Sequence, residues 1–173
     1  MELLLNDIFE LEDRNEFEKV YTSYQNIYNK TNLNYDIWKH FYFFLWSCIE
    51  EASNEFQEKI NLRKELEDKF NDGKQHFSNL ADFNFIAGYT ITIFPYEYGD
   101  YEDLGDEGVV MLLKATMIEP KNLIYKMVYL GGTLSDDKNI YDKAVINAAP
   151  LVLKEFSGKG FLNRYFKEVL YRI

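Results

Sequence analysis

The sequence contains two histidines and one cysteine, so imidazole or thiolate chemistry would have to run through His40, His76 or Cys48. Each histidine follows an aspartate by four residues, Asp36 before His40 and Asp72 before His76. On a continuous helix, residues four apart share a face, and a carboxylate and an imidazole placed there can ligate a metal ion. Gly73 is expected to break the helix of the second pair, and isolated carboxylate–imidazole pairs are usually structural. No metal site and no cofactor are therefore predicted. Cys48 becomes a nucleophile only if one of the histidines approaches it; because it follows a heavily aromatic run, a neutral buried thiol is the expected state. With 29 acids in the chain, some carboxylate pair will always look suitable for glycosidase-like chemistry, so that signal has no specificity. A Walker-type phosphate loop, a dinucleotide fingerprint, paired cysteines and the helical zinc signature are all missing from the sequence. The expectation is a chain with no catalytic residue.

Recognition chemistry has a stronger signal. Tyr96, Glu97, Tyr98, Asp100, Tyr101, Glu102, Asp103, Asp106 and Glu107 fall in a stretch of six acids and three tyrosines with no base. Carboxylates steer a basic partner in and accept paired hydrogen bonds from arginine, while tyrosine adds contact area with few torsions to freeze. These nine residues are the predicted partner-binding surface. The same stretch also reads as a solvated loop whose acids favour the N-terminus of the following helix, and Asp103 or Asp106 could serve both purposes.

The charge of the whole chain points the same way. A net charge of −10 is unevenly spread: residues 1 to 107 hold 23 acids and 9 bases, residues 108 to 173 hold 6 acids and 10 bases. Phosphates would be repelled by the larger acidic part, so no direct nucleic-acid binding is expected and a basic protein is the more natural partner. Acids that merely keep an aromatic-rich domain dispersed remain an equal reading of composition alone. Residues 2 to 18 hold seven acids against Arg14, and most of these are expected on the polar side of the first helix. At the other end, Lys154, Lys159, Arg164, Lys167 and Arg172 accompany Phe161, Leu162, Tyr165, Phe166, Val169 and Leu170, the pattern of a terminal amphipathic helix. Its bases read as an ordinary solvated face or as internal partners of the acidic part.

The elements that must position these residues read as helices. From Asp13 to Asn29, Phe17, Val20, Tyr21, Tyr24 and Tyr28 recur at steps of three and four. Asn34 or Asp36 can cap a second helix through Ile37, Trp38, Phe41, Phe44, Leu45 and Cys48, whose middle is apolar all round. Phe41 to Trp46 are accordingly predicted as core. Residues 54 to 71 read as one surface helix ending near Gly73, with Glu55–Lys59 and Glu65–Lys69 in the favourable order and Phe56, Ile60, Leu66 and Phe70 along one side. Residues 79 to 94 fit two periods: Phe83, Phe85, Tyr89, Ile91 and Ile93 alternate as in a strand, while Phe83, Ala87 and Ile91 share a helical face.

With 173 residues and 47% hydrophobic composition, the chain suits one domain, 1–173, that buries roughly 70% of its unfolded surface. The longest apolar run, Phe41 to Trp46, is far shorter than the roughly 20 residues a membrane helix needs. Leu3, Leu4 and Leu5 between acids do not make a secretory signal, and a single cysteine suits a reducing compartment; the cytoplasm is the expected location.

Gly108, Ala115 and Pro120 in GVVMLLKATMIEPKN resemble the second helix of a tetratricopeptide-type repeat and its closing proline, and Gly88-Tyr89 resemble the glycine and neighbouring aromatic of the first. The likeness covers Ala81 to about Gly131, with no second copy at the family period of about 34 residues. It implies a helical hairpin of the kind used for protein binding, and it favours helix over strand at 79–94. Across most of the chain, the small, acidic, aromatic-rich helical character is similar to immunity proteins of bacterial contact-dependent and related polymorphic toxin systems. That resemblance implies a role, sequestration of a basic toxin domain, and no particular positions. The expectation is thus a mainly α fold of six to eight helices with a tetratricopeptide-like hairpin; the alternative is α+β, with strands near 83–94 and 123–130.

Overall fold

The computed structural model describes residues 2–31, 33–98, 101–133 and 138–172, with side chains except at 2–4, 101–104 and 138. Its described residues form helices and connections with no strand. Ten α-helices follow in order: α1 Glu2–Asp13, α2 Phe17–Lys30, α3 Tyr35–Glu51, α4 Asn54–Ile60, α5 Leu62–Phe77, α6 Ala81–Ile93, α7 Tyr101–Ile118, α8 Leu123–Gly132, α9 Lys138–Glu155 and α10 Phe161–Leu170, with a 3₁₀ turn at Pro95–Glu97. None is long and apolar enough to cross a membrane among the described residues.

The helix count exceeds six to eight because two expected helices are each divided by an asparagine in the left-handed region. Asn15 (φ 54°) separates α1 from α2, so the acidic start is a helix of its own. Asn61 (φ 52°) is the C-cap of α4 and splits the 54–71 surface helix in two. Asparagine reaches this conformation more cheaply than other non-glycine residues, and its side chain bonds locally to the backbone. Gly73 behaves in the opposite way to expectation: α5 runs through it to Phe77, with Gly73 buried. A helical glycine costs about 1 kcal/mol relative to alanine; the packing of Leu62, Leu66 and Phe70 along the same helix offsets it.

The chain divides into two compact units. The first is Met1–His76 with Gly158–Tyr165. Its interior is aromatic: Phe41 to Trp46 are all 0–2% exposed, as their all-round apolar pattern predicts. Tyr24 stacks on Phe41 at 5.3 Å and Trp38 on Tyr42 at 4.9 Å. The Trp38 indole N–H donates to the Lys69 carbonyl at 2.7 Å, so its polar end is satisfied. Asn34 is the residue that caps α3, its side chain accepting from Ile37 N at 3.2 Å. Lys59 reaches Glu18 of α2 at 2.8 Å, whereas Lys69 stands 4.0 Å from Glu65 as its i,i+4 spacing predicts.

The second unit is Phe77–Ser157 with Phe166–Ile173. Its centre is α6, where Ala81 and every residue from Phe83 to Ile91 are buried. A helix buried on all sides shows no polar stripe, so its sequence carries no clear 3.6-residue period and chance alternation imitates a strand. Helix α6 replaces the alternative strand at 83–94, and α8, capped by Asn122 through Ile124 N and Tyr125 N, replaces the one at 123–130. Phe166 closes the unit against Phe85, Tyr89 and Phe156 at 5.1–5.2 Å.

Candidate functional site

The predicted contact residues sit on the hairpin of α6 and α7, which two glycines fix in place. A Cβ built on Gly88 would lie 2.9 Å from the Gly108 carbonyl oxygen and 3.0 Å from Leu112 N. One built on Gly108 would lie 2.7 Å from Thr92 Cγ2 and 3.0 Å from the Gly88 carbonyl oxygen. The two backbones therefore touch, which only glycine permits. Ala115, fully buried one heptad later, continues the close approach. The expected helical hairpin is present, with its glycines at the crossing.

The connection is shorter than a loop over the whole stretch from Tyr96 to Glu107 would be. Phe94 (φ −131°, ψ 64°), outside the helical region that a residue before proline avoids, ends α6, and Pro95 starts the 3₁₀ turn closed by Glu97 N to Phe94 O at 3.1 Å and Tyr98 N to Pro95 O at 3.2 Å. Helix α7 already begins at Tyr101, so Glu102 and Asp103 fall in its first turn. Tyr96 is 51% exposed, its ring edge-on to Phe94. Glu97 and Glu107 are half-buried and Asp106 is exposed. Tyr98, by contrast, is buried and packs inward, a correction to its assignment as a contact tyrosine. Asp100 lies outside the described residues, and Tyr101, Glu102 and Asp103 are described in their backbone only. Of the predicted contact residues whose side chains are described, Tyr96, Glu97 and Tyr98 lie in or next to the 3₁₀ turn and Asp106 and Glu107 in the early turns of α7.

The histidines and the cysteine do not converge on one another. His40 is packed edge-on against Phe9 at 4.8 Å; burial, with Lys39 adding to it, pushes its imidazole down to about 3, while Asp36 faces solvent. His76 lies on α5 with Asp72, contrary to a break at Gly73, but its Nδ1 meets the Asp72 carbonyl oxygen at 2.8 Å while the Asp72 carboxylate accepts from Tyr28 at 3.0 Å. Cys48 is fully buried, and burial followed by the charges of Glu12 and Glu51 raises its thiol far above the usual range. On α3, Cys48 lies eight residues beyond His40, about 12 Å along the axis. Among the described residues no group of three or more histidine, cysteine or acidic side chains could hold a metal ion.

No match to this chain is found among protein-family models, curated proteins or solved structures. The site is therefore read from its own geometry.

One group escaped the sequence reading. Glu12, expected on the polar side with the other N-terminal acids, is 2% exposed. Its Oε1 accepts from the Tyr24 hydroxyl at 2.8 Å and its Oε2 from Phe161 N at 2.7 Å. Burial raises its carboxyl from the ordinary 4.5 to about 7, against the two hydrogen bonds, which pull it down. The signal was present: Leu5, Ile8, Phe9 and Glu12 follow helical spacing, which puts the carboxylate on the apolar stripe. Beside it, Asp13 pairs with Arg164 at 3.2 Å, so one base of the C-terminal helix is an internal partner of the acidic start. In the second unit, a cleft of about 240 Å³ is lined by Tyr89, Leu112, Met127, Gly131, Tyr141 and Arg172, where the guanidinium donates to the Tyr141 hydroxyl at 2.6 Å.

Proposed function

We propose that this chain is a non-catalytic inhibitor, a cognate immunity protein that binds a basic toxin domain and occludes its active site or the approach of its substrate. The observation that carries this reading is the position of the acids in the early turns of α7, beside the close Gly88–Gly108 crossing. The Gly88–Gly108 crossing sets the hairpin, the 3₁₀ turn fixes Tyr96 at its tip, and Asp106 and Glu107 follow in the first turns of the helix. A preorganised surface loses less conformational entropy on binding than a flexible acidic loop would. Its charge matches a basic partner such as a nuclease, whose substrate-binding face is itself cationic.

Reversing Asp100, Glu102, Asp103 and Glu107 to lysine together tests the reading on the cognate toxin domain, measured by stopped-flow association at several salt concentrations. Association should slow by roughly 10- to 100-fold at low salt, and its salt dependence should weaken. Unchanged rates would remove this surface from the account.

A second reading, a tetratricopeptide-like adaptor that holds peptide segments of several partners, draws on the cleft beside the same hairpin. Partner number separates the two: the inhibitor takes one tight ligand at one-to-one stoichiometry, the adaptor several weak ones that compete for the cleft.

A further inference from the structure

The outward side of α7 is a narrow seam. Asp106, Val110, Leu113 and Met117 succeed one another at intervals of four, three and four, and the same register carried back toward the start of the helix falls on Asp103. Val110 is 62% exposed, Leu113 38% and Met117 71%. The inward side carries Gly108, Leu112 and Ala115 against the rest of the hairpin, so α7 has one occupied apolar face and one bare one. A surface helix normally turns polar residues to water. Large apolar residues at a 3.5-residue period are instead what a single facing helix meets in knobs-into-holes packing.

The charge at the end of the seam says which helix. Asp106 is exposed and in line with the apolar residues. A second copy of α7 would set Asp106 against Asp106 in a parallel pairing; in an antiparallel one it would meet Met117, with Lys114 on the flank of the seam and not in it, and either pairing brings together two chains of net charge −10. A partner helix with an apolar ridge and a basic end satisfies both parts at once. We infer that α7 docks an amphipathic helix of the partner protein, its apolar ridge along Val110, Leu113 and Met117 and its lysines or arginines over Asp106. This deepens the proposed function, on which it rests for the partner's identity, by naming the element the partner presents.

The probe is an 18-residue helical peptide with leucines at a and d positions and three arginines at one end, titrated by NMR into the full chain with labelled methyl groups. A control peptide carries three glutamates in place of the arginines. The arginine peptide should shift the methyl signals of Val110, Leu113 and Met117 saturably and bind at least tenfold tighter than the control. Val110→Ser with Met117→Ser, which changes no charge, should weaken it at least tenfold while the circular dichroism spectrum stays the same, both residues being exposed. Asp103→Lys with Asp106→Lys should reverse the preference between the two peptides. The inference is overturned if the α7 methyls do not move, if the seam variant binds as well as the parent, or if both peptides bind alike. It is equally overturned if the seam variant turns a dimer into a monomer in ultracentrifugation, since a second copy would then be the occupant. With the toxin domain as ligand, the seam variant should raise the dissociation rate at least tenfold and leave the salt-dependent association rate unchanged. Failure of the seam and failure of the acidic surface therefore register in different rate constants.

Discussion

Glu12 reaches the interior because it follows Leu5, Ile8 and Phe9 on one stripe of α1, and Tyr24 and the Phe161 N–H meet its two oxygens there. Gly160 makes this possible: at φ +91°, a Cβ on it would lie 2.6 Å from Phe9 and 2.9 Å from Glu12 Oε2. With its carboxyl raised from 4.5 to about 7, folded Glu12 holds its proton more tightly than the unfolded chain does. The stabilisation is therefore fully present below about pH 4.5 and is lost as pH rises through 7, a change on the order of 3 kcal/mol. Glu12→Gln keeps the shape and one neutral acceptor but cannot ionise. Urea unfolding at pH 5 and pH 8 should show the variant gaining on the parent by on the order of 2–3 kcal/mol between the two. The same offset at both pH values would mean that Glu12 does not titrate between them. Helical spacing placed this carboxylate on the apolar side in the sequence itself. Its acceptance of Phe161 N, 149 residues away, had no local trace, because nothing short-range ties α1 to the turn before α10.

At the scale of the element, the helices were legible where they are amphipathic or capped. Steps of three and four gave α2, Asn34 and the aromatic run gave α3, and alternating charge with an apolar side gave α4 and α5 as one piece. The sequence reading failed where a single backbone angle decides: a left-handed asparagine has the same letter as an ordinary one, so the breaks at Asn15 and Asn61 were invisible. Helix α6 was ambiguous because burial on nearly all sides erases the period, and only the repeat resemblance carried by Gly88-Tyr89, Gly108, Ala115 and Pro120 favoured a hairpin. Alanine at these glycines tests that hairpin directly. Helix propensity favours alanine by about 1 kcal/mol at any interior position. At Gly105 nothing lies within 4 Å of the added Cβ, so Gly105→Ala should stabilise by roughly 0.5–1 kcal/mol, about 2 °C in Tm. At Gly88 and Gly108 the new carbon meets backbone atoms at 2.9–3.0 Å that cannot swing aside. Overlap then exceeds propensity, and each substitution should cost about 1–3 kcal/mol, lowering Tm by several degrees in a thermal melt. Three shifts of the same sign would show that the crossing is not close-packed.

For the whole molecule, exposed apolar area and net charge act against each other. The large exposed apolar side chains among the described residues, with Met117, Ile146 and Val110 the most open, all fall in the second unit. Exposed apolar surface drives association unless something opposes it. Repulsion between copies supplies the opposition, since each carries a net charge of −10 at pH 7. That repulsion vanishes at the isoelectric point near 4.7 and is shortened by salt, from a range of about 10 Å at 0.1 M to about 3 Å at 1 M. Light scattering should therefore stay low at pH 7 in dilute buffer, rise as pH falls toward 4.7, and rise at pH 7 when salt is brought to 1 M. Val110→Ser with Met117→Ser changes no charge, so it separates the two forces. If apolar surface drives the association, the double variant scatters less than the parent in both conditions. If the two proteins scatter equally, loss of repulsion alone is sufficient, and the open face of α7 contributes nothing to self-association.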